Sequence, residues 1–362
     1  MKLKSLTKYI IASALLAGIC MFLYRMASDG ISHTKTSFAM NTYTSVTAYG
    51  TNAAAAAENA AAAVSEVEKH FSAYIDESEV SRLNSSAAKD TPIHVSDALF
   101  DILQTAYEYS EATSGLFDVT IKPVTDLWNI SENPRVPSDC EIAEALTHVG
   151  YKNMALDKEN KTVTFLLDNM QIDLGGIAKG YAADIAAESM VNSGCRKALI
   201  NLGGNVCVIG SNTTQFENFM SNKFGFSANK PWTVGIQTPF APSGSYCAAV
   251  SVTCNNSAQN IVTSGAYERN FTQDGIMYHH IFDPRTGYPY DGEADSVTII
   301  GARSAEADAL STSAYMLPVK EALNLAKNRG YDAIIIGKDK KIHTTLDKRC
   351  VNITDTQYSF AD

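Results

Sequence analysis

The chain has 362 residues, 45% of them hydrophobic and 19% charged. This is an ordinary globular composition, enough to build the core of one large domain or of two closely packed halves. A formal net charge of -10 and a pI near 5.2 argue against a nucleic-acid binder, which needs a basic footprint, but leave room for a small anion in a local basic pocket.

The first eight residues are basic, and residues 9–24 (YIIASALLAGICMFLY) form an uncharged apolar run closed by Arg25. The run is shorter than the ~20 residues of a comfortable transmembrane helix and longer than the roughly 7–15 of a signal-peptide core. We therefore expect an uncleaved membrane anchor within residues 1–30 and one domain over 31–362. Lys2, Lys4 and Lys8 against a single following arginine place the N-terminus inside and the remainder outside the cytoplasmic membrane. Cys20 follows Ala-Gly-Ile, which resembles a lipoprotein cleavage site except that Ile19 stands where a small residue belongs, so the anchor is preferred over lipidation. The seven cysteines show no ligand spacing for zinc. An exported chain could pair some of them, and the odd count leaves at least one free. Cys207, in an apolar run, reads as a core residue.

Residues 37–49 alternate like a strand, and 53–74 read as a helix with Val64, Val67 and Phe71 on one face. A second helix is expected at 95–111, capped by Ser96. Strands follow at 163–167, 198–209, 232–237, 248–254 and 296–300, helices at 179–192, 306–316 and 319–328, and a last strand at 333–336. Residues 211–230 are polar and read as a loop insertion. Hairpin-like strand runs with few helices, lacking regular βαβ alternation, predict an α+β fold.

Three segments carry candidate chemistry. In IDLGGIAKGYAAD (172–184) a strand ends in a Gly pair and enters a helix, which turns backbone N–H groups and the positive end of the helix dipole toward one spot; Lys179 adds a mobile charge. The alternative is a plain Gly-assisted turn. In SGAYERNFTQDGIMYHHIFDPRTGYP (264–289), Asp283 to Gly287 fits a tight hairpin turn, while His279 and His280 lie between Arg269 and Arg285, an arrangement that suits an anion site with a base; the alternative is a turn preceded by structural histidines. In AEADALSTSAYM (305–316), Asp308 and Thr312 lie four apart on one helix face near its start, offering a carboxylate and a hydroxyl to Mg²⁺; alternatively Asp308 is a helix-start acid complementing the dipole.

Together FSAYIDESEVSRLN, SGLFDVTIKPVTDLW, IDLGGIAKGYAAD, INLGGNV, TSGAYERNF, HHIFDPRTGYP and SVTIIGARSAEADALSTSAYMLP resemble, in order, the motifs of the ApbE family, the FAD:protein FMN transferases. The resemblance spans from about residue 37 to near the end. It implies a fold related to the T-fold, built from two similar halves with FAD in the cleft between them, in a protein that is exported and membrane-tethered. It implies Mg²⁺-dependent transfer of FMN from FAD to a Ser or Thr hydroxyl of an acceptor protein, with AMP released; the alternatives are a Mg²⁺-dependent FAD pyrophosphatase and a non-catalytic FAD-binding protein. By the same resemblance Met40, Tyr74, Leu116, Phe117, Asp118, Asp173, Lys179 and Phe282 are FAD contacts. Asp308, Thr312 and the Gly176 carbonyl are metal ligands. His280 is our candidate base for the acceptor hydroxyl. Asn41 stands where the family usually has Gly, and Ser311 where some members have a third acidic ligand. No segment resembles the family's acceptor motif, roughly Asp-(x)-Ser/Gly-Ala-Ser/Thr, so self-flavinylation is not expected.

Overall fold

A computed structural model describes residues 13–20, 31–213, 217, 230–254 and 258–361. The expected anchor therefore lies largely outside the described residues, as does most of the expected loop insertion. Residues 13–20 are helical and exposed. Among the described residues no helix is long and apolar enough to cross a membrane.

The strands, in chain order, are β1 (Ser32–Ala39), β2 (Thr42–Tyr49), β3 (Ile93–His94), β4 (Met154–Asp157), β5 (Thr162–Phe165), β6 (Ala198–Leu202), β7 (Asn205–Ile209), β8 (Trp232–Gln237), β9 (Tyr246–Val252), β10 (Gln259–Gly265), β11 (Asn270–Gln273), β12 (Ile276–His279), β13 (Ala294–Gly301), β14 (Asp332–Gly337), β15 (Lys341–Thr344), β16 (Val351–Ile353) and β17 (Ser359–Phe360). The helices are α1 (Ala53–Phe71), α2 (Glu79–Ser86), α3 (Asp97–Ala112), α4 (Lys122–Trp128), α5 (Asp139–Leu146), α6 (Ala178–Asn192), α7 (Ser304–Tyr315) and α8 (Val319–Asn328).

One nine-stranded sheet, in the order β1-β2-β6-β7-β10-β13-β14-β15-β17, organises the molecule, and the α+β class expected from sequence is what forms. Strand pair, helices, strand pair occurs twice along it: β1–β2, α1 with α6, β6–β7, then β10–β13, α7 with α8, β14–β15. The helices cover one face, where Val262, Val297, Ile299 and Ile335 join their core. The three-stranded sheet β16-β9-β8 meets the other, where Ile261, Ile300, Ile334 and Ile336 pack with Trp232 and Val250. Alternate residues thus enter two cores, which is why β13 and β14 read as nearly continuous apolar runs.

Two expected strands are hairpins instead. Residues 198–209 fold back at Gly203–Gly204, both at positive φ (59° and 98°), into β6 and β7. Residues 37–49 belong to β1 and β2, joined by Met40 and Asn41 at φ 54° and 57°. Two consecutive left-handed residues match the right-handed twist of the flanking strands, and Asn tolerates that conformation. The central strand β10 escaped sequence reading because Asn260, Thr263 and Ser264 interrupt its apolar pattern; buried Asn260 repays its burial by donating to the carbonyls of Gly301 and Ala302. Ser96 caps α3 by accepting from Leu99 N–H, as expected. The cysteines are free thiols among the described residues, and Cys207 is fully buried.

Candidate active site

At one end of the sheet the β1–β2 turn, the C-terminal end of α1, the segment after α3, the turn entering α6, the loop after β10 and the segment after β12 enclose a cavity of about 780 Å³. Every residue that the family resemblance implies for the site lines it: Met40, Tyr74, Leu116, Phe117, Asp118, Asp173, Gly176, Lys179, His280, Phe282, Asp308 and Thr312. The volume suits a large organic ligand.

One wall is apolar and rigid. Phe282 packs on Trp128 of α4 with ring centres 5.7 Å apart, and Trp128 Nε1 donates to the Gly287 carbonyl at 2.8 Å. That bond anchors the Asp283–Gly287 turn, which closes as expected with Gly287 N–H donating to the Asp283 carbonyl and Gly287 at φ 72°. The Tyr74 hydroxyl donates to Asp173 Oδ2 at 3.0 Å, and the Lys122 ammonium lies 4.9 Å from the Tyr74 ring centre. Burial, then the charge of Asp173, pushes the Tyr74 hydroxyl up, so it stays a donor. Asp118 reaches the wall, but its carboxylate accepts from Thr120 N–H and Oγ1 and from Tyr151 N–H, which makes it the clamp of its own loop.

The opposite wall carries charge. Asp308 is 3% exposed and sits one turn inside α7, which speaks against the alternative of a helix-start acid complementing the dipole. Its Oδ2 accepts from Gly180 N–H at 2.8 Å, and Gly175 N–H donates to Asp173 Oδ1 at 2.8 Å. One amide of the Gly turn and one of the first turn of α6 are therefore already taken by carboxylates, and this part of the expected phosphate cradle is absent. Burial raises the Asp308 carboxyl, opposed by Lys179 and by the Gly180 amide. Thr312 Oγ1 lies 3.2 Å from Ser264 Oγ, which is 2.8 Å from Ser311 Oγ. The Ser311 hydroxyl donates to the Asp308 carbonyl, so the residue standing at the place of a third acid braces α7 instead.

The site holds a second acid that motif reading passed over. Glu268, on the loop after β10, has Oε2 4.0 Å from Lys179 Nζ and lines the cavity. Burial raises its carboxyl, against the pull of Lys179 and Arg269. Its signal in the sequence was only a position one residue before Arg269, within a segment already dense in charge.

The two histidines part company. His279 is buried against the Tyr290 carbonyl and the Tyr315 ring. His280 lines the cavity with Nδ1 3.2 Å from the Arg269 carbonyl. A carbonyl only accepts, so Nδ1 carries the hydrogen and Nε2 keeps its lone pair. Burial first, then Arg269 and Lys179, lower the His280 pKa well below 6.5, so it is neutral at neutral pH. Arg269 shares the wall; Arg285 turns away to pair with Asp283 and is no part of the anion site expected from sequence.

These oxygens suit a hard divalent cation. Asp308 is a buried carboxylate one helical turn before Thr312, whose hydroxyl meets that of Ser264, and a Cβ placed at Gly176 would lie 3.7 Å from Thr312 Oγ1, so that backbone borders the hydroxyls. No group of three His, Cys, Asp or Glu gathers among the described residues, so further ligands must come from backbone, hydroxyls, water or substrate.

A model of the ApbE family matches residues 40–335. The chain belongs to the ApbE family. A FAD:protein FMN transferase of Klebsiella pneumoniae is 34% identical over 275 residues, 75% of this chain and 79% of that one. Another, of Treponema pallidum, is 33% identical over 299 residues, 80% and 79% of the two chains. The crystal structure of the ApbE protein of Thermotoga maritima superposes with a TM-score of 0.75 at 31% identity, covering 86% of this chain and 96% of that one. The flavin transferase ApbE of Vibrio cholerae shares the fold, with a TM-score of 0.70 at 23% identity over 85% and 94% of the chains. Asn41, at φ 57°, takes the left-handed backbone, and Met40 N–H is fixed by Glu68 Oε1 at 2.6 Å.

Proposed function

We propose that this chain transfers FMN from FAD to a Ser or Thr hydroxyl of another protein and releases AMP. The observation that carries the reading is that the buried carboxylate Asp308, the ammonium Lys179 and the neutral imidazole His280 line one cavity and act on one another electrostatically through Lys179. The acceptor oxygen forms a bond to the phosphorus of the FMN half, the bridging P–O bond of the pyrophosphate breaks, and the electron pair leaves on AMP. The hydroxyl proton goes to His280 Nε2, a step worth roughly 10²–10⁴ in rate for a well-placed base. Lys179 and Arg269 offset phosphate charge in a site shielded from water, where such contacts act strongly. Tyr74, Leu116, Phe117 and Phe282 offer the flat apolar surfaces that a flavin or adenine ring requires. Asp308, Thr312 and the Gly176 carbonyl are the residues that would hold Mg²⁺, whose chemistry is to neutralise charge on the pyrophosphate.

The test is incubation with FAD, Mg²⁺ and candidate acceptors, read by in-gel flavin fluorescence and by AMP release. AMP appearing with free FMN and no labelled acceptor would assign the site to FAD hydrolysis instead. We further propose that residues 9–24 anchor the chain in the cytoplasmic membrane with the domain outside. The support is the uncharged run and the lysine bias before it. Protection of the domain from protease added to intact cells, lost on lysis, would reverse that orientation.

A further inference from the structure

If an acceptor hydroxyl must reach the cavity, the polypeptide carrying it must cross the rim, and one stretch of rim is built for an extended chain. β1 is the end strand of the nine-stranded sheet and, among the described residues, pairs on one side only, with β2. Its end and the turn that follows run into the site: Phe38 of β1 and Met40 and Asn41 of the turn all line the cavity.

Edge strands usually discourage pairing by pointing charges outward. Here β1 carries no Asp, Glu or Arg, and its one lysine, Lys35, is tied to Glu58 on the α1 side, the same side of the strand as His33. The opposite face of the β1–β2 ribbon is uncharged: Thr34 is paired with Thr47, Thr36 with Ser45, and Phe38 with Tyr43. Thr34 Oγ1 and Thr47 Oγ1 are 2.9 Å apart, and the Phe38 and Tyr43 rings meet edge to face at 5.4 Å. Phe38 is 63% and Tyr43 84% exposed, an aromatic pair that large left open at the mouth of the cavity. Among the described residues the smaller sheet meets this face at its far end, where Tyr49 packs on Trp232.

We propose that the acceptor protein docks by laying an extended segment along β1 as an additional strand, with its hydroxyl-bearing end at Phe38 and Met40 and its apolar side chains on the Phe38–Tyr43 pair. Strand addition supplies affinity through backbone hydrogen bonds that any sequence can make, while the side chains that fall on the aromatic pair and in the cavity select the site. The proposal rests on the transferase reading above and adds to it the surface that receives the acceptor.

The probe is a synthetic peptide containing Asp-Gly-Ala-Thr, used with the full chain, FAD and Mg²⁺. Two measurements separate this proposal from the reading beneath it. The first is amide hydrogen exchange over residues 32–39 with and without the peptide. Slower exchange there supports strand addition; unchanged exchange there overturns it, whether or not the peptide becomes labelled. The second compares wild type with Thr34→Lys/Thr36→Lys, which adds charge to an exposed edge and leaves the cavity untouched. We expect kcat/KM for the peptide to fall about tenfold or more while FAD affinity and melting temperature hold, because the perturbed contacts belong to acceptor binding alone. Equal kcat/KM in the two proteins overturns the docking surface. A wild type that protects β1 on peptide addition yet never labels the peptide would keep the surface and sink the transferase reading.

Discussion

Gly180 provides the sharpest test of the site's construction, because local and tertiary arguments predict opposite signs. It lies in the first turn of α6, in ordinary helical backbone, where Ala is favoured over Gly by about 0.8–1 kcal/mol. Helix propensity alone therefore predicts that Gly180→Ala stabilises. In the fold, however, a Cβ at this position would stand 2.2 Å from the Ser304 carbonyl oxygen, 2.6 Å from its carbon and 2.7 Å from Asp308 Cβ. Contacts between carbon atoms are favourable only near 3.5–4.0 Å. The obstructing backbone cannot yield easily: Asp184 holds Ser304 N–H at 2.8 Å and Ala305 N–H at 3.0 Å. Overpacking of this kind costs about 1–3 kcal/mol or more, which outweighs the propensity gain. Relief requires α7 to move away from α6, carrying Asp308 from its bond to Gly180 N–H, and a misplacement of ~1 Å in a catalytic array can cost about 10²-fold in rate. We expect Gly180→Ala to melt several degrees lower and to lose most flavin transfer. A melting temperature above wild type with transfer intact would refute the reasoning, since it would mean that α6 and α7 do not meet at this residue.

Three further outcomes follow from the charges of the site. Burial raises the Asp308 carboxyl, so its ionised form costs stability in the cation-free protein, not at all below the unfolded value of about 3.9 and increasingly as pH rises through the folded value. Asp308→Asn should thus be more stable than wild type at neutral pH without divalent cation, equal to it in acid, and insensitive to added Mg²⁺; a Mg²⁺-induced rise in melting temperature equal to that of wild type would remove Asp308 from the cation site. His280→Ala should keep FAD affinity and lose roughly 10²–10⁴ in transfer. Because the His280 pKa is lowered well below 6.5, the wild-type rate should be flat with respect to this group at neutral pH and fall only in acid, a limb the variant lacks; a wild-type limb centred near 6.5 would contradict the enclosure of His280. Glu268→Gln frees Lys179 from its carboxylate neighbour, so FAD should bind roughly threefold to tenfold more tightly, and because the pair is largely buried most of the gain should persist at high salt. Unchanged affinity at both salt concentrations would show that Lys179 does not meet the phosphates.

Much of the molecule was determined locally. The α1 face of Val64, Val67 and Phe71, the Ser96 cap and the Asp283–Gly287 turn follow from spacing and from the backbone preferences of single residues, and all three appear in the structure. The candidate site residues were legible through the resemblance to the ApbE family, whose motifs the chain carries in order, and folding brings those separate motifs to one cavity. What the chain alone could not decide was how elements meet. The two-residue turns at Met40–Asn41 and Gly203–Gly204 leave no polar gap, so each hairpin reads as a single run until the partner strand is seen. Asp308 looks like a solvent-facing acid by position, and becomes a buried carboxylate only because α6 lacks a side chain at Gly180 and lets α7 approach. Arg285 and Glu268 carry the same lesson: both lie in one charged stretch, yet the turn directs the first outward to Asp283 and the loop after β10 brings the second to Lys179. Charge can be counted along a chain, but its desolvation and its partners are properties of the packed structure, and these set which groups can do chemistry.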